Sequence, residues 1–208
     1  QTTQILGPND AGRTMTPEEF DRAQIDNDDC SRYELVNSRL EVRPIPPRYI
    51  RAMKTKLIYW LENYAVSRQG IDPRHQLITV LPNELVPISN GNRRHCELAV
   101  WRLPGYTPRS DDIPQIVIDF VTDASDKHLA ELHDKKTNLL TAGVFEYWVI
   151  DSIRRVMTVY RNPVRVQNVV GARIQLVVHE SEVYTTYEMS GFKVKLADLL
   201  AVADSYQD

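Results

Sequence analysis

The sequence predicts an α/β domain, a mixed β-sheet flanked by helices, and three features carry that expectation. Residues 115–121 (Gln-Ile-Val-Ile-Asp-Phe-Val) form a nearly continuous apolar run, the pattern of a strand buried on both faces. Two long segments carry apolar residues at helical spacing, and the last third of the chain holds short β-branched stretches at hairpin-like intervals. The 208 residues are 42% hydrophobic and 25% charged, which is apolar enough for a packed core and excludes a disordered chain. No Gly/Ser/Pro-rich linker divides them. The expectation is therefore a single domain over 15–200, between an N-terminal extension (1–14) and a C-terminal tail (201–208).

Thr16-Pro17-Glu18-Glu19 combines an N-cap threonine, proline at the first helical position and glutamate three residues after the cap, which predicts a short helix over 17–24. Asp26-Asn27-Asp28-Asp29 follows as an acidic loop. Alternating segments 33–36 and 40–42 flank Asn37-Ser38, a two-residue turn signal, and read as a β-hairpin. After Pro46-Pro47, the residues Ile50, Met53, Leu57, Trp60, Leu61 and Tyr64 recur at three- and four-residue steps, with Gly70 as the stop of a first long helix. Two strands, 76–81 and 96–101, lie on either side of Ser89-Asn90-Gly91-Asn92, and a polar loop over 104–114 leads to the central strand. A second long helix over 125–142 is signalled by Leu129, Leu132, Leu139 and Leu140, with Gly143 as its stop. A strand over 145–150 ending at Asp151, strands over 156–160, 174–178 and 183–187, and a terminal helix over 196–200 complete the list.

With 25 Lys+Arg against 28 Asp+Glu, the net charge of -3 excludes the whole-protein footprint of a strong nucleic-acid binder, so any such role rests on a local patch. One candidate is Arg39, Arg43, Arg48, Arg51, Lys54 and Lys56, opposed only by Glu41. That run either follows a phosphate backbone or is the solvated face of the first long helix. No apolar run approaches the roughly 18 residues of a membrane span, and the first residues lack a signal-peptide pattern, so the chain reads as cytoplasmic. Cys30 and Cys96 read as free thiols, and His95-Cys96 has no second Cys/His pair at zinc-ligand spacing. Ser125, Asp126 and His128 read as an N-cap rather than a nucleophilic triad, and Tyr147-Trp148 as core aromatics.

Asp119 is the residue that demands an explanation. An ionised carboxylate inside a buried strand is strongly disfavoured unless it is paired or bound to a cation. Glu97 stands at the start of Leu98-Ala99-Val100-Trp101, so if these two strands are neighbours, two carboxylates converge at one end of a sheet. Hard divalent cations take oxygen donors, usually one or two carboxylates completed by water and substrate phosphate. A nearby lysine would offset charge on a phosphate or orient water, and the next helix supplies Lys135 and Lys136. Spacing from Leu132 and Leu139 puts Lys136 nearer the middle of the apolar stripe and Lys135 at its edge.

Several stretches resemble one family. They are Met15 through Phe20, Arg32-Tyr33-Glu34-Leu35-Val36-Asn37, Cys96-Glu97-Leu98-Ala99-Val100, residues 114–121, and residues 135–151 ending Gly-Val-Phe-Glu-Tyr-Trp-Val-Ile-Asp. The chain is similar to the Uma2 (DUF820) group of restriction-endonuclease-like proteins, a branch of the PD-(D/E)XK nuclease superfamily. The resemblance implies a restriction endonuclease-like α/β fold with additional C-terminal hairpin strands. It also implies an endonuclease that hydrolyses DNA with Mg²⁺ or Mn²⁺. On that pattern Glu97 and Asp119 hold the metal, Glu34 is a further acid, Lys135 positions water or the scissile phosphate, and Glu131 orients Lys135. The lysine lies on the helix rather than two residues after the strand carboxylate, where this chain has Val121. Glu97, Asp119 and Glu131 each exchange the family's acid for the other one, and the family's histidine near the first long helix falls among Arg48 and Tyr49. Charge is kept but reach is not, and a displacement of about 1 Å can lower a rate about 100-fold. The alternative expectation is a catalytically impaired nuclease fold acting as a DNA-binding or regulatory module. Two-fold symmetric DNA makes a homodimer the natural assembly, though no residue specifies it.

Overall fold

The computed structural model describes residues 5–25, 31–68, 78–102, 107–123, 125–163, 165–166, 169–170 and 173–206. Along the chain run β1 (Ile5–Leu6), α1 (Pro17–Arg22), β2 (Gln24–Ile25), β3 (Arg32–Val36), β4 (Arg39–Arg43), α2 (Arg48–Arg68), β5 (Ile78–Pro87), β6 (Arg93–Arg102), β7 (Ile116–Phe120) and α3 (Asp126–Ala142). They are followed by β8 (Glu146–Asp151), β9 (Val156–Arg161), β10 (Arg165–Val166), β11 (Val169–Val170), β12 (Ile174–His179), β13 (Val183–Thr185), β14 (Lys193–Lys195) and α4 (Leu196–Asp204). The expected acidic loop at Asp26–Asp29, Cys30, the Gly70 stop and Gln76 lie outside the described residues.

Local chemistry accounts for the element ends. Thr16 accepts from the Glu19 amide at 3.2 Å while the Glu19 carboxylate accepts from the Thr16 amide at 2.8 Å, a reciprocal cap for α1. That helix stops two residues before the expected end because Gln24 and Ile25 pair with β1 instead. Asn37 and Ser38 both have positive φ (50° and 60°), the mirror-image turn whose twist suits a two-residue hairpin. Ser125 accepts from the His128 amide at 3.3 Å, and Gly143, at φ 111°, ends α3 in the left-handed conformation. β5 continues well past the expected end at residue 81 despite Pro82. Among the described strands it pairs with β6 alone, and the edge of a sheet tolerates a residue with no N–H to donate.

The main sheet has eight strands in the order β12-β9-β8-β7-β6-β3-β4, with β5 also paired to β6. β7 and β8 are its parallel pair, and α3 makes the crossover that parallel neighbours require. Ile50, Met53, Leu57 and Leu61 of α2 and Leu196, Leu199 and Leu200 of α4 cover one face, against Leu98, Val100, Ile116, Ile118, Trp148 and Ile150. Leu139 and Leu140 of α3 cover the other, against Ala99, Trp101, Val117 and Tyr147. A smaller core joins Leu6, Met15 and Phe20 to Tyr33, Leu35 and Leu40 of the β3–β4 hairpin. Leu6, in the segment expected as an extension, is thus buried, and the Gly12 amide bonds the Leu40 carbonyl at 2.7 Å. At the other end α4 runs four residues past residue 200 and buries Ala203. No described helix is long and apolar enough to cross a membrane.

The site is located by a fork in the sheet. On one side of β6, β3 pairs only at Arg93, and β7 pairs at Leu98, Ala99 and Val100. Between those contacts the strands diverge, and on this edge of β6, opposite the one paired with β5, the His95 carbonyl and the Glu97 amide are taken up by neither strand. Buried backbone polar groups need partners, and side chains supply them here.

Candidate active site

A cavity of about 480 Å³ opens at this fork. Arg94, His95 and Glu97 of β6, Arg32 and Glu34 of β3, Asp119 of β7, and Glu131 and Lys135 of α3 all line it. The Asp119 carboxylate bridges the gap. Its Oδ1 accepts from the Glu97 amide at 3.1 Å, and its Oδ2 accepts from Lys135 Nζ at 2.7 Å and from the Tyr147 hydroxyl at 2.8 Å. Lys135 also donates to the His95 carbonyl, the other backbone group left open by the fork. Burial works to raise the Asp119 pKa, but Lys135, Tyr147 and the Glu97 amide outweigh it and hold the carboxyl below its ordinary value.

Each carboxylate expected in the site has its own cation on the wall. Arg32 grips both oxygens of Glu97, with Nη2 to Oε2 at 3.0 Å and a shorter contact from Nη1 to Oε1. Arg43 pairs with Glu131 at 2.7 Å and Arg94 approaches Glu34 to 3.5 Å. Glu97 carries a second cation. Lys54 Nζ lies 3.1 Å from Oε2 and donates at 2.7 Å to Asn83 Oδ1. Asn83 is held at φ 60° within β5, a left-handed residue interrupting an extended strand next to the site.

Four residues that line the cavity each carry a buried side-chain atom with no hydrogen-bond partner among the described residues: Glu34 Oε2, Arg43 Nε, Arg94 Nε and His95 Nε2. The Arg94–Glu34 contact is therefore an ion pair without hydrogen-bond geometry. Buried polar groups ordinarily have partners, so four unpartnered atoms in residues around one cavity mark its wall as polar and strained rather than as ordinary core. Burial raises the Glu34 pKa above its ordinary value despite Lys135, Arg94 and Arg43 opposing it. Burial, aided by Lys135 and Arg32, pushes His95 down to about 2, so its imidazole is neutral throughout the working pH range.

The structure brings Glu34, Glu97, Asp119, Glu131 and Lys135 to one cavity, but not in every contact that was expected. Glu131 was expected to orient Lys135. It turns instead to Arg43 and lies 4.0 Å from His128, while Lys135 is held by Asp119 and the His95 carbonyl. Lys136 points elsewhere, near His133 and over the Tyr160 ring. Tyr147, read as core, is buried as expected, yet its hydroxyl belongs to the site. The basic run divides. Lys54 and Arg43 turn to the site, Arg48 and Arg51 are exposed, and Arg48 lies over the Tyr206 ring. Lys54 did leave a signal, because it stands four residues after Ile50 and three before Leu57, inside the apolar stripe. Arg32 left one too, since alternation puts it on the same face of β3 as Glu34. Asn83 left none.

The fold and the site define an α/β protein of the restriction endonuclease-like class, with an acid- and lysine-bearing cavity at one end of a mixed sheet. The family profile of Uma2 proteins, described as "Putative restriction endonuclease", matches residues 17–185, and the chain belongs to this family. Among solved structures it is similar to a protein from Anabaena variabilis described as "a putative nuclease belonging to DUF820". The TM-score is 0.68 at 15% identity, over 91% of this chain and 99% of that one, a likeness of fold. A comparison with curated proteins found no match.

Proposed function

We propose that this chain is an endonuclease that hydrolyses DNA phosphodiester bonds at the fork cavity, with one divalent cation, Mg²⁺ or Mn²⁺, held by Asp119 and Glu97. The observation that carries the reading is the Asp119–Lys135 pair, 2.7 Å apart on the wall of a cavity that also takes Glu97 and Glu34. Both proposed ligands offer oxygen, the donor such cations take, and two protein carboxylates leave the remaining positions to water and phosphate. Among the described residues no group of three or more His, Cys, Asp or Glu side chains forms a ready cage. The donors fit a cation of this kind, with Arg32 as its competitor for Glu97.

A cation bound there supplies a water of lowered pKa and offsets charge on the phosphate. The protein's own groups do the rest. Lys135, fixed by Asp119 and the His95 carbonyl, presents ammonium charge to a phosphate oxygen in a site of restricted solvent, where such charge counts most. The Tyr147 hydroxyl keeps the Asp119 carboxylate in one orientation. Glu34, whose pKa is raised by burial, is placed to exchange a proton within the cavity. Arg43, braced by Glu131 and Glu41, forms the outer wall.

The test is nicking of supercoiled plasmid with Mg²⁺ or Mn²⁺, run beside an identically prepared Asp119→Asn protein. Metal-dependent nicking by the native chain, lost in the variant, is the expected result, and equal nicking by both would refute the assignment.

A second reading, a DNA-binding module without cleavage, is favoured by one observation: Glu97 is already held on both oxygens by Arg32 and on one by Lys54. It predicts no nicking by the native chain and DNA binding that survives Lys135→Ala.

A further inference from the structure

We propose that Arg32 is a phosphate ligand that couples DNA binding to metal binding, by leaving Glu97 for a phosphate oxygen of the bound strand and so freeing Glu97 for the divalent cation. The inference rests on the endonuclease reading and gives Arg32, there only the cation's competitor for Glu97, a role of its own.

The charge around the two acids motivates it. Glu97 and Asp119 are already met by Arg32, Lys54 and Lys135. A divalent cation arriving alone would meet three protein cations on its two acids and would find Glu97 engaged on both oxygens. Something must leave first, and the five cations on or behind the wall differ in their freedom to do so. Lys135 is fixed by Asp119 and the His95 carbonyl. Arg94 is 3% exposed and covers Glu34. Arg43 is braced by two carboxylates. Lys54 is anchored on Asn83 as well as on Glu97 and is not part of the cavity lining. Arg32 lines the cavity, its side chain is the more exposed partner of its pair at 15%, and among the described residues its side chain pairs with Glu97 alone.

Its chemistry suits the exchange. A guanidinium presents paired donors that match a phosphate as well as they match a carboxylate, so the fork on Glu97 is transferable to a phosphodiester at the same wall. When Arg32 leaves, Lys54 stays at 3.1 Å, so Glu97 is not stranded as a buried unpaired charge. Phosphate thus draws off the competitor, and the cation stabilises the arrangement in which the competitor is gone. By linkage each ligand strengthens the other by the same factor, and couplings of this type are commonly about 5- to 150-fold.

The test uses Arg32→Ala and Arg32→Lys in the full chain, with two binding measurements that need no turnover. Mn²⁺ affinity is read from the loss of the free-ion electron paramagnetic resonance signal in the absence of DNA. Affinity for a short fluorescent duplex is read by anisotropy in EDTA. Arg32→Ala should bind Mn²⁺ at least about fivefold more tightly than the native chain and bind the duplex at least about fivefold more weakly. Arg32→Lys should fall between them, because it keeps charge without the fork. Opposite movement of the two affinities is the signature, since a residue that merely supports the fold would weaken both. Weaker or unchanged Mn²⁺ binding in Arg32→Ala, or duplex binding as tight as native, would overturn the proposal. The plasmid assay is independent: native protein that binds in this coupled way without nicking DNA would refute the endonuclease reading and leave the role of Arg32 standing.

Discussion

Replacing Lys135 with methionine should destabilise the protein in a pH-dependent way, and the structure sets both magnitude and sign. Lys135 and Asp119 are 2.7 Å apart with side chains only 10% and 6% exposed. Methionine keeps the length and fills the space, so the loss is of charge rather than volume. Removing one partner of a buried pair leaves the other uncompensated and costs about 3 to 5 kcal/mol. For a chain of this size that lowers the melting temperature by about 6 to 20 °C. The Asp119 pKa lies below its ordinary 3.8 in the folded protein. The pair therefore contributes stability that is present above pH 3.8 and lost as pH falls through the lower folded value. In Lys135→Met the largest opposing influence is gone, burial prevails, and the folded pKa moves above 3.8. The variant then loses stability as pH rises from 3.8 through that value. The difference between the two proteins should be widest near pH 7 and shrink toward pH 4, as read from urea unfolding at both pH values. A variant as stable as the native chain at pH 7, or a difference independent of pH, would show that the ion pair does not form.

Further predictions concern other parts of the molecule. Glu34→Gln should be at least as stable as the native chain at pH 7, because burial raises the Glu34 pKa and its ionised form weakens the fold above pH 4.5. The advantage should vanish below that pH, and urea unfolding at pH 7 showing a clear loss would contradict it. On the opposite face, the Tyr184 hydroxyl donates to Glu146 at 2.9 Å and accepts from Arg161 at 2.8 Å, so Tyr184→Phe should lose about 1 to 3 kcal/mol in the same assay. Because it lies away from the cavity, duplex binding should stay unchanged. Asn83→Ala should be about 1 kcal/mol less stable than Asn83→Gly, since both lose the Lys54 contact and only alanine resists the left-handed backbone. Equal melting temperatures would show that the backbone there is not held at positive φ.

Much of the architecture was legible because its causes are local. The Thr16 cap, the Asn37-Ser38 turn, the Ser125 cap and the Gly143 stop act over a few residues, and the elements begin or end at or within a residue or two of them. The all-buried β7 announced itself as an uninterrupted apolar run with one acid in it. Where expectation and structure parted, a distant partner was responsible. β5 runs past Pro82 because β6 accepts it at a sheet edge, and α1 ends early because β1 pairs with the following residues.

The site divides along the same line. Asp119 followed from the rarity of a carboxylate in a buried strand and Glu97 from its place at the start of an apolar strand. Their meeting hung on the two strands being neighbours, as β6 and β7 are, and Glu34, Glu131 and Lys135 followed from resemblance to a family pattern. The partners of those acids did not follow. Arg32, Lys54, Asn83 and Tyr147 come from four separate elements, and the pairing of Glu131 with Arg43 rather than Lys135 joins residues 88 positions apart. What the sequence alone determined is the longer elements, though not the short strands β1, β2, β10, β11 and β14, together with Asp119 and Glu97 as acids that an apolar strand would not carry without a purpose. Which cation meets which acid was decided only when β3 and β7 diverged along β6, because charge pairing depends on distances of a few ångströms between groups that the chain holds far apart.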